Sequence, residues 1–326
     1  MKMSSEIPET PASPLQRHAL SGETMGTRYS AVFFAAPGLD ASAVGAGLFA
    51  AVDKVDRQMS TWKPDSDLNR LNAAPLQQWI PVPADLVSVL DSALRIGRQS
   101  AGAFDIGVGA VVNAWGFGPG TRQPDIDRIR VPTQGTHRPA SDALEIDPAR
   151  QRVRKRAAIT LDLSGIAKGY GVDELARCLD RFGITRYLVG IDGEMRACGV
   201  KPDGRPWAIA VEKPVRDVRE AMGVMELTDA AIATSGDYRH WVELAGKHYA
   251  HTMDPSSGRP VSNRLAAVTV VMSRCMDADA WATALLVLGE TAGIALAQKQ
   301  GMDAVFVLHD GEGFEEISII GGQREA

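Results

Sequence analysis

The chain is poor in the residues that build disulfide frameworks or thiolate metal sites. Its 326 residues include three cysteines, Cys178, Cys198 and Cys275, which are scattered along the sequence. No pair has the short spacing of a zinc site, and an odd number of distant cysteines does not indicate a disulfide framework. Because Cys178 falls on a predicted helix, we expect it to be a buried thiol that packs as a small hydrophobic side chain.

Excess positive charge and long apolar runs are also missing. The formal net charge is −5 and the sequence pI is about 5.7, which argues against nucleic acid as a partner. No segment approaches the roughly 18 apolar residues that indicate a membrane span. Residues 1–20 are polar, carry prolines, and contain neither an apolar signal core nor a lipid-attachment cysteine. We therefore predict a disordered arm over residues 1–20 and a cytoplasmic protein, or a periplasmic one if a leader has been removed.

Two common nucleotide-binding signatures are absent, and a different pattern stands in their place. Neither the Walker sequence nor the Rossmann glycine fingerprint occurs. Residues 158–161 are apolar and predict a strand, Ser164-Gly165 predicts a turn, and a helix is predicted from about Ala167 to Leu179. This junction brings Asp162 and Lys168 to a helix N-terminus, where backbone N–H groups and the helix dipole favour phosphate.

A second informative segment begins at His251. It follows two predicted strands, 241–244 and 248–250, which are joined by a tight turn at residues 245–247. Residues 254–258, Asp-Pro-Ser-Ser-Gly, have typical turn chemistry. His251 and Met253 therefore lie at a strand end, where loops often carry function, although a single strand histidine is more often structural.

A third segment carries Asp279 and Thr283, which are four residues apart on a helix predicted over about 277–288. That spacing places them on one face of the helix, one turn apart. A carboxylate and a hydroxyl are hard oxygen ligands that suit magnesium or calcium and are poor for zinc or copper. The alternatives are that Asp279 only complements the helix dipole and that Thr283 bonds its own backbone.

These segments and several others resemble the ApbE-type FAD:protein FMN transferase family. Each motif alone is weak, but six or more in the family's order are specific. The resemblance implies Mg²⁺-dependent transfer of FMN from FAD to a Thr or Ser hydroxyl of an acceptor protein, with a phosphoester product and release of AMP. The matching stretches run from about residue 23 to about residue 310 and are residues 23–27, 59–62, 65–69, 102–106 and 111–118 together with the three segments above.

The resemblance also implies a role for each matching residue. The carbonyl of Gly165 would hold the metal with Asp279 and Thr283, and His251 would be the catalytic base. Lys168 would be a second catalytic residue, with its positive charge next to the diphosphate. The residues implied to contact flavin or nucleotide are Met25, Trp62, Ala103, Phe104, Asp105, Asp162, Lys168 and Met253. From the residues alone, Asp162 could instead be an exposed strand charge, Lys168 a solvated helix-entry lysine, and Met25 and Trp62 packing residues.

Three functions remain open at this point. The transferase would use an acceptor such as a subunit of a redox complex or a flavin-dependent reductase. A second possibility is an FAD pyrophosphatase that uses water at the same site and gives FMN and AMP. The third is a non-catalytic protein that binds or delivers FAD. The difference between the first two lies in how water is excluded around the phosphorus.

The order of elements predicts the fold class. Helices are predicted early, at about 42–59, 66–72 and 84–100, and late, at 277–288 and 291–299, with many hairpins between them. This order indicates an α+β fold with an antiparallel β-sheet core and flanking helices, which the resemblance makes ApbE-like and T-fold-like. We expect residues 21–326 to form one domain, either undivided or as two subdomains, with a loop-rich insertion at about 119–142 that holds a short helix near Ile126.

Overall fold

The computed structural model describes residues 14–120, 123–130, 138–216, 220–239, 241–244, 246–311 and 313–325. Its strands are β1 (Gln16–Thr24), β2 (Thr27–Ala35), β3 (Ile80–Pro81), β4 (Leu144–Asp147), β5 (Arg152–Lys155), β6 (Tyr187–Ile191), β7 (Glu194–Cys198), β8 (Trp207–Glu212), β9 (Ala221–Leu227), β10 (Ala231–Gly236), β11 (Trp241–Leu244), β12 (Lys247–Ala250), β13 (Met253–Asp254), β14 (Arg259–Pro260), β15 (Leu265–Met272), β16 (Asp303–Asp310), β17 (Gly313–Ile320) and β18 (Gln323–Arg324). The helices are α1 (Ala41–Met59), α2 (Asp67–Ala73), α3 (Ala84–Gln99), α4 (Gly109–Ala114), α5 (Ile126–Arg130), α6 (Ala140–Ala143), α7 (Ala167–Arg181) and α8 (Cys275–Lys299).

Nine strands form the main sheet in the order β1-β2-β6-β7-β10-β15-β16-β17-β18, and every neighbouring pair is antiparallel. Helices α1, α7 and α8 cover one face of this sheet, packing on residues such as Phe33 and Val189. The two-stranded β8–β9 ribbon covers part of the opposite face, where Phe34 and Leu188 lie because strand side chains alternate. The predicted α+β class with an antiparallel core and flanking helices is confirmed.

The early helices follow their sequence signals closely. Helix α1 begins after Asp40, whose carboxylate accepts hydrogen bonds from the N–H groups of Ser42 and Ala43, both at 3.0 Å. Helix α2 begins after Ser66, whose hydroxyl accepts from the N–H of Asn69 at 3.0 Å. Apolar residues recur along α1 at three- and four-residue spacing, and each of them is buried: Val44, Leu48, Val52, Val55 and Met59.

Two predictions are wrong. Residues 158–161 form no strand; Thr160 makes one isolated parallel bridge with Val108. The reason is that the side chain of Asn72 replaces a partner strand, donating to the carbonyl of Leu161 at 3.0 Å and accepting from its N–H at 2.7 Å. The arm predicted for residues 1–20 is wrong over Gln16–Leu20, because β1 pairs with β2 along its whole length. Residues 1–13 lie outside the described residues.

Helix α8 is the structural centre of the helical layer. It packs on β10 and β15. Gly289 interrupts the helix with φ 76° and ψ 179°. This break lies between the two helices predicted at 277–288 and 291–299. Among the described residues it is the one helix long and apolar enough to cross a membrane by length and composition. In this fold it is a core helix, with Asp279 buried on its first half.

The segment 119–142 contains the predicted short helix as α5 and a second short helix, α6, that the sequence did not predict. Residues 121–122 and 131–137 of this segment lie outside the described residues. Ala245, in the predicted turn 245–247, lies outside them too, but the strands on either side pair as expected.

Candidate active site

Ten of the twelve predicted site residues line one cleft of about 140 Å³, and the remaining two line the groove beside it. The cleft lies where the N-terminus of α7 and the first half of α8 meet the loop 103–106 and the segment after β12. The adjoining groove, of about 460 Å³, holds Met25 and Trp62 and shares Ser164 and Lys168 with the cleft. The ten cleft residues are Ala103, Phe104, Asp105, Asp162, Gly165, Lys168, His251, Met253, Asp279 and Thr283.

The three predicted metal ligands converge because α7 and α8 touch almost backbone to backbone. A Cβ added at Gly169 would lie 2.5 Å from the carbonyl oxygen of Cys275, so a glycine is required at this crossing. The N–H of Gly169 donates to Oδ2 of Asp279 at 3.0 Å. One turn later, Oγ1 of Thr283 would lie 3.2 Å from a Cβ added at Gly165. The carboxylate, the hydroxyl and the turn at Gly165 therefore border one small space.

The second carboxylate near Asp279, that of Glu194, favours a bound cation beside Asp279. Burial and the neighbouring carboxylate of Glu194 raise the pKa of Asp279 to about 7, although Lys168 and the N–H of Gly169 act in the opposite direction. Among the described residues, no group of three or more His, Cys, Asp or Glu side chains could hold a metal ion. The donors present are a carboxylate, a hydroxyl and the Gly165 carbonyl, and hard oxygens of this kind suit Mg²⁺ or Ca²⁺.

Lys168 is held by two carboxylates that the sequence did not single out. Its Nζ lies 2.8 Å from Oε1 of Glu194 and 3.7 Å from Oδ2 of Asp192, both on the β6–β7 hairpin. Burial lowers the pKa of Lys168, but Glu194, Asp279 and Asp192 outweigh that effect and hold the pKa above its ordinary value. The lysine is thus a fixed positive charge at the cleft wall, and the interpretation as a solvated helix-entry lysine is wrong.

Asp173 is a third residue that the sequence interpretation missed. Its fully buried carboxylate accepts hydrogen bonds from the N–H groups of Cys275 and Met276, both at 3.1 Å, and from Nη1 of Arg196 at 2.5 Å. These contacts fix the first turn of α8 against α7, one turn ahead of Asp279. The available signal was an acidic residue in the middle of a predicted helix, between Val172 and Glu174.

Asp162 and Asp105 both bond to backbone N–H groups. Oδ1 of Asp162 accepts from the N–H of Ser164 at 2.7 Å, and the residue is buried, so the alternative of an exposed strand charge is wrong. Oδ1 of Asp105 accepts from Gly107 at 2.7 Å and from Ala140, at the start of α6, at 3.2 Å. Both carboxylates organise the cleft wall, and their contact with a nucleotide stays a prediction.

The exposed indole of Trp62 is carried by a loop that side chains of α2 and its cap hold in place. The hydroxyl of Ser66 donates to the carbonyl of Ser60 at 2.7 Å, and the amide of Asn69 donates to the carbonyls of Thr61 and Lys63 at 2.8 and 2.9 Å. These bonds explain why residues 65–69 form a motif. Trp62 is 53% exposed on this fixed loop.

Met25 lies opposite, at the β1–β2 turn, with a positive φ of 47°. Its thioether packs on α7, where a Cβ added at Gly171 would lie 3.1 Å from the Met25 methyl carbon. Gly171, the third glycine of residues 162–173, therefore gives Met25 its place in the groove.

His251 enters the cleft from the end of β12. Its ring lies edge-on to Phe117 with 6.3 Å between ring centroids. Met253 follows in β13, which pairs with β14 across the predicted turn. Asp254 closes that turn by accepting from the N–H and hydroxyl of Ser256 at 2.9 and 2.7 Å, and these bonds contribute to a lowered pKa of Asp254 despite its burial. The turn chemistry predicted from the sequence thus positions the His251 strand end.

Comparisons with known proteins show the family to which this chain belongs. The FAD:protein FMN transferase of Vibrio cholerae serotype O1 is 39% identical over 310 residues, covering 94% of this chain and 91% of that protein. The one of Escherichia coli K12 is 34% identical over 319 residues, covering 93% and 88%. The solved structure of flavin transferase ApbE from Vibrio cholerae matches with a TM-score of 0.82 at 37% identity, covering 94% of this chain and 97% of that chain. The ApbE family model matches residues 25–306, and this chain therefore belongs to the ApbE family.

Proposed function

We propose that this protein transfers FMN from FAD to a Thr or Ser hydroxyl of an acceptor protein and releases AMP. The observation that carries the proposal is the convergence of Asp279, Thr283 and Lys168 with His251 in one cleft. The Vibrio cholerae and Escherichia coli relatives, named FAD:protein FMN transferase, support it at 39% and 34% identity.

The phosphate end of FAD would lie against the N-terminus of α7. Lys168 supplies a fixed positive charge there, and Glu194 and Asp192 orient it. Asp279, Thr283 and the carbonyl of Gly165 would hold Mg²⁺, which supplies charge stabilisation to the diphosphate oxygens when it is bound. The flavin ring would occupy the groove between Met25 and Trp62, because a thioether and an indole both pack well on a flat aromatic system.

At phosphorus, the chemical step breaks one bond and forms one, and one proton moves. The acceptor hydroxyl oxygen forms a bond to the FMN-side phosphorus, and the bond from that phosphorus to the bridging oxygen of AMP breaks. His251 would take the hydroxyl proton, since its ring lines the same cleft as Lys168 and Asp279. The products are a phosphoester-linked FMN on the acceptor and AMP. We propose a flavin-bearing subunit of a redox complex or a flavin-dependent reductase as the acceptor class.

The experiment is a product balance. The purified protein is incubated with FAD, Mg²⁺ and a protein substrate of the Vibrio cholerae relative, with that relative as positive control. The proposal predicts equal amounts of AMP and of flavin that stays on the denatured acceptor. AMP with an unlabelled acceptor would instead support the pyrophosphatase, and neither product would support a flavin-binding protein without turnover.

A further inference from the structure

A groove of about 390 Å³ runs from the cleft along the β8–β9 ribbon. We call it the ribbon groove; it lies between Ile209 and Val211 of the ribbon and Met195 and Ile232 of the main sheet. Trp207 and Leu227 pack the far end of the ribbon onto the sheet, so the groove is closed at that end by core contacts. No residue of the proposed chemistry lies on its apolar walls.

The ribbon groove adjoins the cleft. Asp192, Thr234 and Arg239 line both spaces. The guanidinium of Arg239 separates them, held by Oδ1 of Asp192 at 3.0 Å and Oε2 of Glu212 at 2.5 Å. It lies against Gly193, where an added Cβ would come within 3.4 Å of its Nη1. One ion-paired side chain is thus the partition between the ribbon groove and the reacting centre.

The charge of the ribbon groove disfavours either phosphate of FAD. Among the described residues that line it, Asp192, Glu212 and Glu220 carry carboxylates and Arg239 carries a guanidinium. Carboxylates in this excess repel an anionic diphosphate and accept hydrogen bonds from N–H groups. In the part of the chain that the structure describes, the β8–β9 ribbon is a two-stranded sheet, so its outer backbone groups face no third strand. An extended polypeptide satisfies such an edge by β-augmentation.

We infer that the ribbon groove seats an extended segment of the acceptor protein and directs its hydroxyl past Arg239 into the cleft. The inference rests on the proposed function. Apolar walls would take alternate side chains of the segment, and the carboxylate rim would accept its backbone N–H groups. Flavin and acceptor would then approach the phosphorus from different sides, because the Met25–Trp62 groove adjoins the cleft at Ser164 and Lys168.

The test fills the ribbon groove without touching the cleft. Val211→Trp places a large apolar side chain on the half-buried ribbon wall. Ala208→Trp is the matched control, since Ala208 is exposed on the same strand and does not line the groove. We expect Val211→Trp to raise the KM for the acceptor protein by at least about tenfold, with FAD affinity unchanged and Ala208→Trp like wild type.

A second variant, Ala221→Arg, guards against a folding defect, because Ala221 is an exposed residue of the groove lining. Both groove variants should keep the urea midpoint of the wild type and both should raise the acceptor KM. An unchanged acceptor KM in correctly folded variants would overturn the inference, and so would a weakened FAD affinity, which would assign the groove to FAD. Absence of any FMN transfer by the wild type would instead refute the proposed function.

Discussion

Removing the carboxylate of Asp173 should destabilise the fold more than any surface change. Asp173→Ala takes away the acceptor for two buried N–H groups, those of Cys275 and Met276, and leaves Arg196 without its partner. Breaking a buried ion pair by deleting one member costs about 3–5 kcal/mol, and unsatisfied buried donors cost about 1–3 kcal/mol each. These costs overlap because they share one side chain, so we expect a loss of about 3–5 kcal/mol.

That loss is a large share of the roughly 5–15 kcal/mol that stabilises an ordinary domain. Urea unfolding, followed by far-UV circular dichroism, measures it as a lower midpoint at a similar slope. Asp203→Ala is the control, since Asp203 pairs with Arg205 on the surface, where such pairs contribute about 0–1 kcal/mol. If Asp173→Ala unfolds at the midpoint of Asp203→Ala, the anchoring of α8 by α7 is refuted.

Three further predictions concern the site. Because the folded pKa of Asp279 is raised to about 7, the metal-free protein should lose stability as pH rises from about 4 to about 7. Its Mg²⁺ affinity, measured by calorimetry, should rise over the same pH range and then level off. A Mg²⁺ affinity that does not change between pH 5.5 and 7 would contradict this prediction. His251→Ala should keep FAD binding and lose FMN transfer by about 10²–10⁴-fold, and the acid limb of the wild-type pH–rate profile should disappear with it; a near-wild-type rate at saturating FAD would show that another group is the base. Trp62→Ala should weaken FAD binding by about 1–3 kcal/mol and reduce the quenching of flavin fluorescence; an unchanged titration would return Trp62 to a packing role.

Local signals predicted much of this fold. The capping carboxylate of Asp40, the capping hydroxyl of Ser66 and the stop at Gly289 act on neighbouring backbone, so their effects are visible within a few residues of sequence. The same holds for the helix spacing that brings Asp279 and Thr283 to one face.

Contacts between distant segments were not predictable in this way. Asn72 satisfies the backbone of Leu161 across 89 residues and so removes the need for a strand at 158–161. Glu194 and Arg239 come to the cleft through the β6–β7 hairpin and the end of β10, and no motif in the sequence marks them. Their roles depend on sheet order, which local periodicity does not encode.

The most direct test of the account measures FMN transfer by Asp279→Ala against Asp277→Ala. Asp277 lies on the same helix but pairs with Arg95 and Arg274, away from the cleft. The account predicts that Asp279→Ala, or EDTA added to the wild type, lowers transfer by at least about a hundredfold while FAD still binds, and that Asp277→Ala stays active. Full transfer by Asp279→Ala, or by the wild type in EDTA, would contradict it.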